Sequence, residues 1–219
     1  DLRYFFDPRS YRRTGKNDLP LPEQVALNGP AMIAAYRGGA FPEERIVAVE
    51  ALRYLFLLGL HPAGNRAKEP SSGPLRVLVL SDYFPSITRQ QMRWLSDAAP
   101  ALPPDTRNVV KPHPGFPVKA SDYPSLQLQI TGSPLAELLG DCDVAYTSNM
   151  TSAAVDAYCA GVPVVSVLDG DAFNMSPLRG LTGVTYVTGP SELAHALRHA
   201  RESEVVMAEA YFCLDKQLP

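Results

Sequence analysis

The chain has 219 residues, with 46% apolar and 20% charged side chains and a net charge of -3. That is enough for one sizeable α/β domain plus an attached segment, in an ordinary globular composition. The charge excludes the basic face of a nucleic-acid-binding protein, and no apolar run reaches the roughly 18 residues of a membrane span.

In chain order, Asp1–Pro30 is rich in Pro, Arg and Gly with weak periodicity, which predicts irregular chain or linker. Ala31–Leu60 predicts two helices. Ala31–Tyr36 is the first, stopped by Gly38-Gly39, and the second starts at Pro42 with Glu43 and Glu44 in its first turn. His61–Pro74 crowds Pro, Gly, Asn and Ser into a linker. From Leu75 short apolar runs alternate with helical stretches. Strands are predicted at Arg76–Leu80, Asn108–Val110, Leu126–Ile130, Val144–Thr147, Pro163–Val167 and Val184–Val187. Helices are predicted at Thr88–Ala98, Pro134–Leu139, Ser152–Ala160 and Ser191–Arg201. This alternation predicts an α/β fold, a doubly wound parallel sheet with right-handed crossovers. Such sheets bind ligands outside the carboxyl ends of their strands. Ser203–Leu214 predicts a last helix, which in a two-domain enzyme crosses back to the other domain. The expected organisation is a linker and junction over 1–74, a Rossmann-like domain over 75–202 and a C-terminal helix over 203–219.

Cys142, Cys159 and Cys213 are odd in number, widely spaced and free of any CxxC or Cys/His pattern, which suits a reducing, cytoplasmic compartment. No signal peptide opens the chain. It starts at Asp1 rather than Met, so a piece of a longer protein, or a processed or trimmed chain, is expected.

The chemistry collects at the predicted strand ends. Asn108–Val110 runs into Lys111-Pro112-His113-Pro114. The prolines stiffen the turn. Lys111 offers a compact positive charge suited to phosphate, and His113 a hydrogen bond or a proton. A proline-rich loop with an incidental His is the alternative. Val144–Thr147 runs into Ser148-Asn149-Met150-Thr151-Ser152 at a helix start. Hydroxyl residues there cap the helix, and free N–H groups with the positive dipole end make an anion site. Asp156 follows on that helix, where a carboxylate can hold a ribose diol or simply face solvent. Ser81-Asp82-Tyr83 follows the first strand of the large sheet and either touches ligand or turns the chain.

Together these residues resemble a known family. "KPHP" after a strand, with "TSNMTSAAVDAYCAGVPVVSV" downstream, is similar to the C-terminal, nucleotide-sugar-binding domain of GT-B glycosyltransferases, closest to bacterial capsule and lipopolysaccharide transferases that use CMP-linked Kdo or sialic acid. The resemblance implies that Lys111, His113 and Pro114 form an HP motif, and that Thr151-Ser152 form the paired motif that contacts the donor phosphate. It implies catalytic roles for His113 and Lys111. Donor contacts would come from Pro114, Ser148, Thr151, Ser152, Asp156, Ser81 and Asp82. CDP-glycerol glycerophosphotransferases are also similar, sharing the spacing from Thr151-Ser152 to Asp156. Further upstream, "AAYRGGAFPEERIVAVEALRY" resembles the stretch joining the two GT-B domains, and there Ile46–Val49 would be a strand rather than helix.

The resemblance implies a transferase with a CMP-sugar as donor and a glycan or lipid-linked acceptor. It implies no cofactor, no metal and no nucleic acid. The acceptor side and base would lie in an N-terminal domain for which there is no room before Leu75, so the chain alone is expected to be inactive. The location it implies is cytoplasmic, at the inner face of the membrane. The alternatives are a CDP-glycerol-type polyol-phosphate transferase and a non-catalytic Rossmann-like module. Asp169-Gly170-Asp171 reads as a loop rather than a metal motif. His195 and His199 read as a solvated helix face, and Trp94 as core. No GxSxG elbow or GxxxxGK[ST] loop occurs.

Overall fold

The computed structural model describes residues 22–39, 41–59, 73–170, 173–203 and 211–215. The chain divides into two compact units, one of residues 1–59 with 207–219 and one of residues 60–206.

In the first unit, β1 (Val25–Leu27), α1 (Pro30–Gly38) and β2 (Ile46–Ala48) form a β-α-β turn of chain, with β1 and β2 parallel and Val25 opposite Ile46. Pro30 occupies the first turn of α1, where its missing N–H is no loss. Val25, Leu27, Tyr36 and Phe41 make a small core. Two expectations fail here. The stretch expected to be irregular contains β1, because three residues are too few to show an alternation. The helix expected from Pro42 is a 3-10 turn (Glu43–Arg45), then β2, then a 3-10 helix (Leu52–Gly59). Ile46 and Val47 are β-branched and find a partner strand in β1, which outweighs the local helical pattern. The strand is the one the family resemblance implied.

Residues 204–210 of the expected last helix lie outside the described residues. The described Tyr211–Asp215 is not helical. There the Cys213 N–H donates to the Asn28 carbonyl at 2.8 Å and its carbonyl accepts from the Ala51 N–H at 2.9 Å. Phe212 stacks on Tyr54 at 3.8 Å. A Cβ on Gly29 would collide with the Tyr211 carbonyl, so the two backbones approach this closely only because residue 29 is glycine.

The second unit holds a six-stranded sheet in the order β5-β4-β3-β6-β7-β8, parallel throughout. Its strands are β3 (Arg76–Leu80), β4 (Arg107–Lys111), β5 (Leu128–Ile130), β6 (Val144–Thr147), β7 (Val164–Val167) and β8 (Val184–Val187). The helices are α2 (Pro85–Ala98), α3 (Leu135–Leu139), α4 (Ala153–Cys159) and α5 (Pro190–Arg198). Every strand and helix expected between Leu75 and Arg201 is present apart from shifts at the ends, and the tail after α5 tightens to a 3-10 turn (Ala200–Glu202). Val77, Val79, Val144, Tyr146, Val165 and Val167 turn toward one face, where Met92 and Leu95 of α2 meet Leu193 and Leu197 of α5. Alternate residues Leu78, Leu80, Ala145 and Val164 turn the other way, and α4, absent from that core, packs on β6 and β7. Val77 to Leu80 are all buried, as expected of a central parallel strand covered on both faces.

The strand order reverses between β3 and β6: β4 and β5 build outward from one, β7 and β8 from the other. This is the topological switch point, where two successive loops diverge and leave a crevice. Gln91 of α2, fully buried, stitches its base. Its Nε2 donates to Leu80 O at 3.2 Å and Tyr146 O at 3.0 Å, and Tyr146 Oη returns a bond to Gln91 O at 3.1 Å. Replacing Gln91 by Ala removes a side-chain donor from two buried carbonyls and leaves a cavity. The expected loss is about 2–4 kcal/mol of unfolding free energy, read from urea denaturation.

Candidate functional site

The register aligns the strand ends: Leu80 stands opposite Lys111 and Thr147, and Thr147 opposite Ser166. The loops after β3, β4 and β6 therefore emerge together at one edge. Ser81, immediately after β3, accepts the His113 backbone N–H on its Oγ at 2.7 Å, while its own N–H donates to Lys111 O at 3.3 Å. The next residue, Asp82, crosses the crevice the other way. Its Oδ2 accepts from Ser148 Oγ, after β6, and its Oδ1 from the Phe84 N–H at 2.9 Å. Ser148 Oγ in turn accepts the N–H groups of Met150 at 3.4 Å and Thr151 at 3.3 Å. Thr88 closes the β3 loop from α2, bonding both the N–H and the carbonyl of Asp82 at 3.0 Å. Hydrogen bonds thus tie His113 to Ser81, and Asp82 through Ser148 to Thr151, and the Ser81–Asp82 peptide joins the two sets. Ser81, Asp82 and Ser148 are 4%, 3% and 1% exposed, so they hold the crevice in shape rather than line its open surface.

His113 opens a tight turn: the Phe116 N–H donates to its carbonyl at 2.9 Å, with Pro114 and Gly115 between. Proline suits the first central position of such a turn. The Gly115 N–H donates to His113 Nδ1 at 3.0 Å. For Nδ1 to accept, the ring proton must sit on Nε2, which is thereby fixed as a donor. The Tyr83 ring packs edge-on against the imidazole at 5.3 Å. A Cβ on Gly115 would come within 3.3 Å of Nδ1 and 3.4 Å of the Tyr83 ring. Gly115 and Tyr83 therefore set the His113 ring, and sequence reasoning had given Gly115 no role. Its signal was the glycine two residues after a histidine in "HPGF".

Lys111 is placed differently. Its Nζ donates to Ser133 O at 2.7 Å, on the loop after β5 and so on the far side of β4 from the crevice. One of the three ammonium donors is committed there.

The segment after β6 corrects one expectation. Its amides are not a free anion nest: Ala153 N–H donates to Thr151 Oγ1 at 3.3 Å, Ala154 N–H to Thr151 O at 3.3 Å and Val155 N–H to Ser152 O at 3.0 Å. The hydroxyls satisfy the first turn themselves, as N-terminal capping requires. Ser152 differs. It is exposed, and among the described residues neither its N–H nor its hydroxyl has a partner. Thr151 is half-buried and its accepting hydroxyl keeps a proton to donate. Asp156 is 5% exposed within α4, not a solvent-facing helix carboxylate.

Other candidates take no part in this network. Asp169 Oδ2 accepts from Gln90 Nε2 at 2.9 Å, and Asp171 lies outside the described residues. His199 Nδ1 bonds the His195 carbonyl at 2.8 Å, one turn back on the same exposed helix face. Burial pushes the Cys142 thiol up to about 12, leaving it inert as a nucleophile. Among the described residues no helix is long and apolar enough to cross a membrane.

No protein-family model matches the sequence, and no curated protein does either. Solved structures do. The glycotransferase of kitacinnamycin is 15% identical with a TM-score of 0.53, over 82% of this chain and 47% of that one. CalG4, the calicheamicin glycosyltransferase, is 14% identical with a TM-score of 0.50, over 83% of this chain and 45% of that one. HepE of Anabaena, solved with UDP and glucose, is 16% identical with a TM-score of 0.45, over 81% and 53%. The chain spans about half the length of these structures. With its six parallel strands in this order, the chain has the Rossmann-like α/β fold of GT-B glycosyltransferase domains.

Proposed function

We propose that the β3/β6 crevice binds the phosphate of a nucleotide-activated sugar, and that the chain is the donor-binding half of a glycosyltransferase. The donor in this reading is CMP-linked and the acceptor is a bacterial surface polysaccharide or lipopolysaccharide precursor, lipid-linked and met at the cytoplasmic face of the membrane. The observation that carries it is the hydrogen-bond chain that fastens the His113 turn to the Ser148–Ser152 segment across the switch point. The doubly wound fold supports it, since open parallel sheets bind ligands at this edge.

In transfer, the bond from the anomeric carbon to the phosphate oxygen breaks as an acceptor hydroxyl bonds to that carbon. Negative charge grows on the departing nucleotide phosphate. His113 Nε2–H, the Ser152 N–H and hydroxyl, and the Thr151 hydroxyl are donors aimed at that charge. Their bonds strengthen as it develops, which is what lowers a barrier. Lys111, its ammonium bonded to Ser133 across β4, adds positive field only. Asp156 is the proposed ribose contact. The catalytic base belongs to the acceptor-side domain.

Replacing His113 by Ala removes one hydrogen bond to a charged group, so CMP affinity should fall by about tenfold or more, with an unchanged melting temperature. Titration calorimetry with CMP, CDP and UDP tests the donor class. CMP binding tightest supports the reading, and CDP binding tightest favours polyol-phosphate transfer. No binding of any of the three to the folded chain would sink the proposal.

A further inference from the structure

A second cleft lies away from this edge, between α2 and the β4–β5 connection. Its volume is about 410 Å³, the size of a small-molecule site. Arg89 and Arg93 stand one turn apart on α2 and both line it. Among the described residues neither guanidinium has a hydrogen bond or ion pair; Arg89 only rests over the Phe116 ring at 5.3 Å. Opposite them stand Phe116, Tyr123 and Asp122, with buried Val118 behind. The Tyr123 hydroxyl feels both arginines. Burial and then Asp122 push its pKa up, while Arg89 and Arg93 pull the other way. Two adjacent guanidinium forks without acceptors suit a phosphate. Aromatic walls suit the C–H face of a sugar ring, and Asp122 accepts hydrogen bonds from hydroxyl groups.

We propose that this cleft is a separate binding site for a phosphorylated saccharide, its phosphate held by Arg89 and Arg93 and its ring lying between Phe116 and Tyr123. Of its lining only Phe116 touches the His113 turn, through a backbone bond that His113→Ala keeps, and the site stands whether or not that crevice binds a donor.

The test is calorimetric titration of the chain with glucose 1-phosphate, inorganic phosphate and glucose. Glucose 1-phosphate should bind about tenfold or more tightly than either fragment. The double variant R89Q/R93Q should lose that binding with an unchanged melting temperature, since both side chains are exposed. Asp122→Asn should narrow the preference for glucose 1-phosphate over phosphate, and His113→Ala should leave binding intact. Equal affinity for phosphate and glucose 1-phosphate would overturn the proposal, as would binding that survives R89Q/R93Q or disappears in His113→Ala. Arginine-dependent binding to phosphatidylglycerol vesicles, without glucose 1-phosphate binding, would overturn it in favour of membrane contact.

Discussion

Replacing Asp82 by Ala should cost about 2–4 kcal/mol of stability and remove measurable nucleotide binding. Asp82 is 3% exposed and serves two loops: it accepts the Phe84 N–H and the Ser148 hydroxyl. Alanine leaves both donors without their acceptor in a dry site, and an unmade buried bond is expensive. Ser148 would then no longer be oriented to accept the Met150 and Thr151 amides. The segment that carries Ser152 loosens, and with it the proposed phosphate contacts. Asn at this position keeps the side-chain volume and the acceptor for the Phe84 N–H, and loses only the bond from the Ser148 hydroxyl. Asp82→Asn should therefore recover much of the stability and part of the binding. Urea denaturation and calorimetry on both variants measure the two effects. An Asp82→Ala protein with wild-type affinity would show that the crevice does not depend on this fastening.

Asp143 should give the second large effect, at the opposite edge of the sheet. Its carboxylate accepts from the Arg76 backbone N–H at 2.9 Å, the Arg76 guanidinium at 2.9 and 3.3 Å, and the Arg201 guanidinium at 2.9 Å. This ties the start of β3 to the chain before β6 and to the turn after α5. Burial alone would raise its pKa, but the bonds from Arg76 and Arg201 outweigh burial and leave it below the ordinary value. Both guanidiniums are about a third exposed and can turn to water. The expected loss in Asp143→Ala is thus about 2–3 kcal/mol, at the low end for a broken ion-pair network. The sign with pH follows from the lowered folded pKa. The contribution is complete above the unfolded value of about 3.9 and disappears as pH falls through the folded one. The gap between wild type and Asp143→Asn should be constant at neutral pH and close below about pH 4. A gap that widens on acidification would contradict this.

The doubly wound sheet was legible because its signals are redundant: each strand is an apolar run, each helix has a periodic face, and glycine or proline stands between. The first unit was harder to read. A three-residue strand such as Val25–Leu27 carries no period, and β2 becomes a strand through its partner, which is not local information. The strand-end rule pointed to the β3/β6 edge, where the proposed site lies. What each residue does there was less legible. Asp82 and Ser148, expected as contacts to the sugar donor, are buried and bonded to each other. Lys111 lies next to the His113 motif in sequence, yet its ammonium reaches Ser133 across β4. Gln91 interrupts the apolar face of α2, and only the three-dimensional pairing shows that it sews β3 to β6.

The central claim, a nucleotide phosphate at the β3/β6 crevice, is tested most directly by amide chemical-shift mapping during a CMP titration. Saturable shifts should concentrate at residues 81–83, 113–115 and 148–152 and be lost in His113→Ala. Shifts centred elsewhere, or none at all in the folded protein, would contradict it.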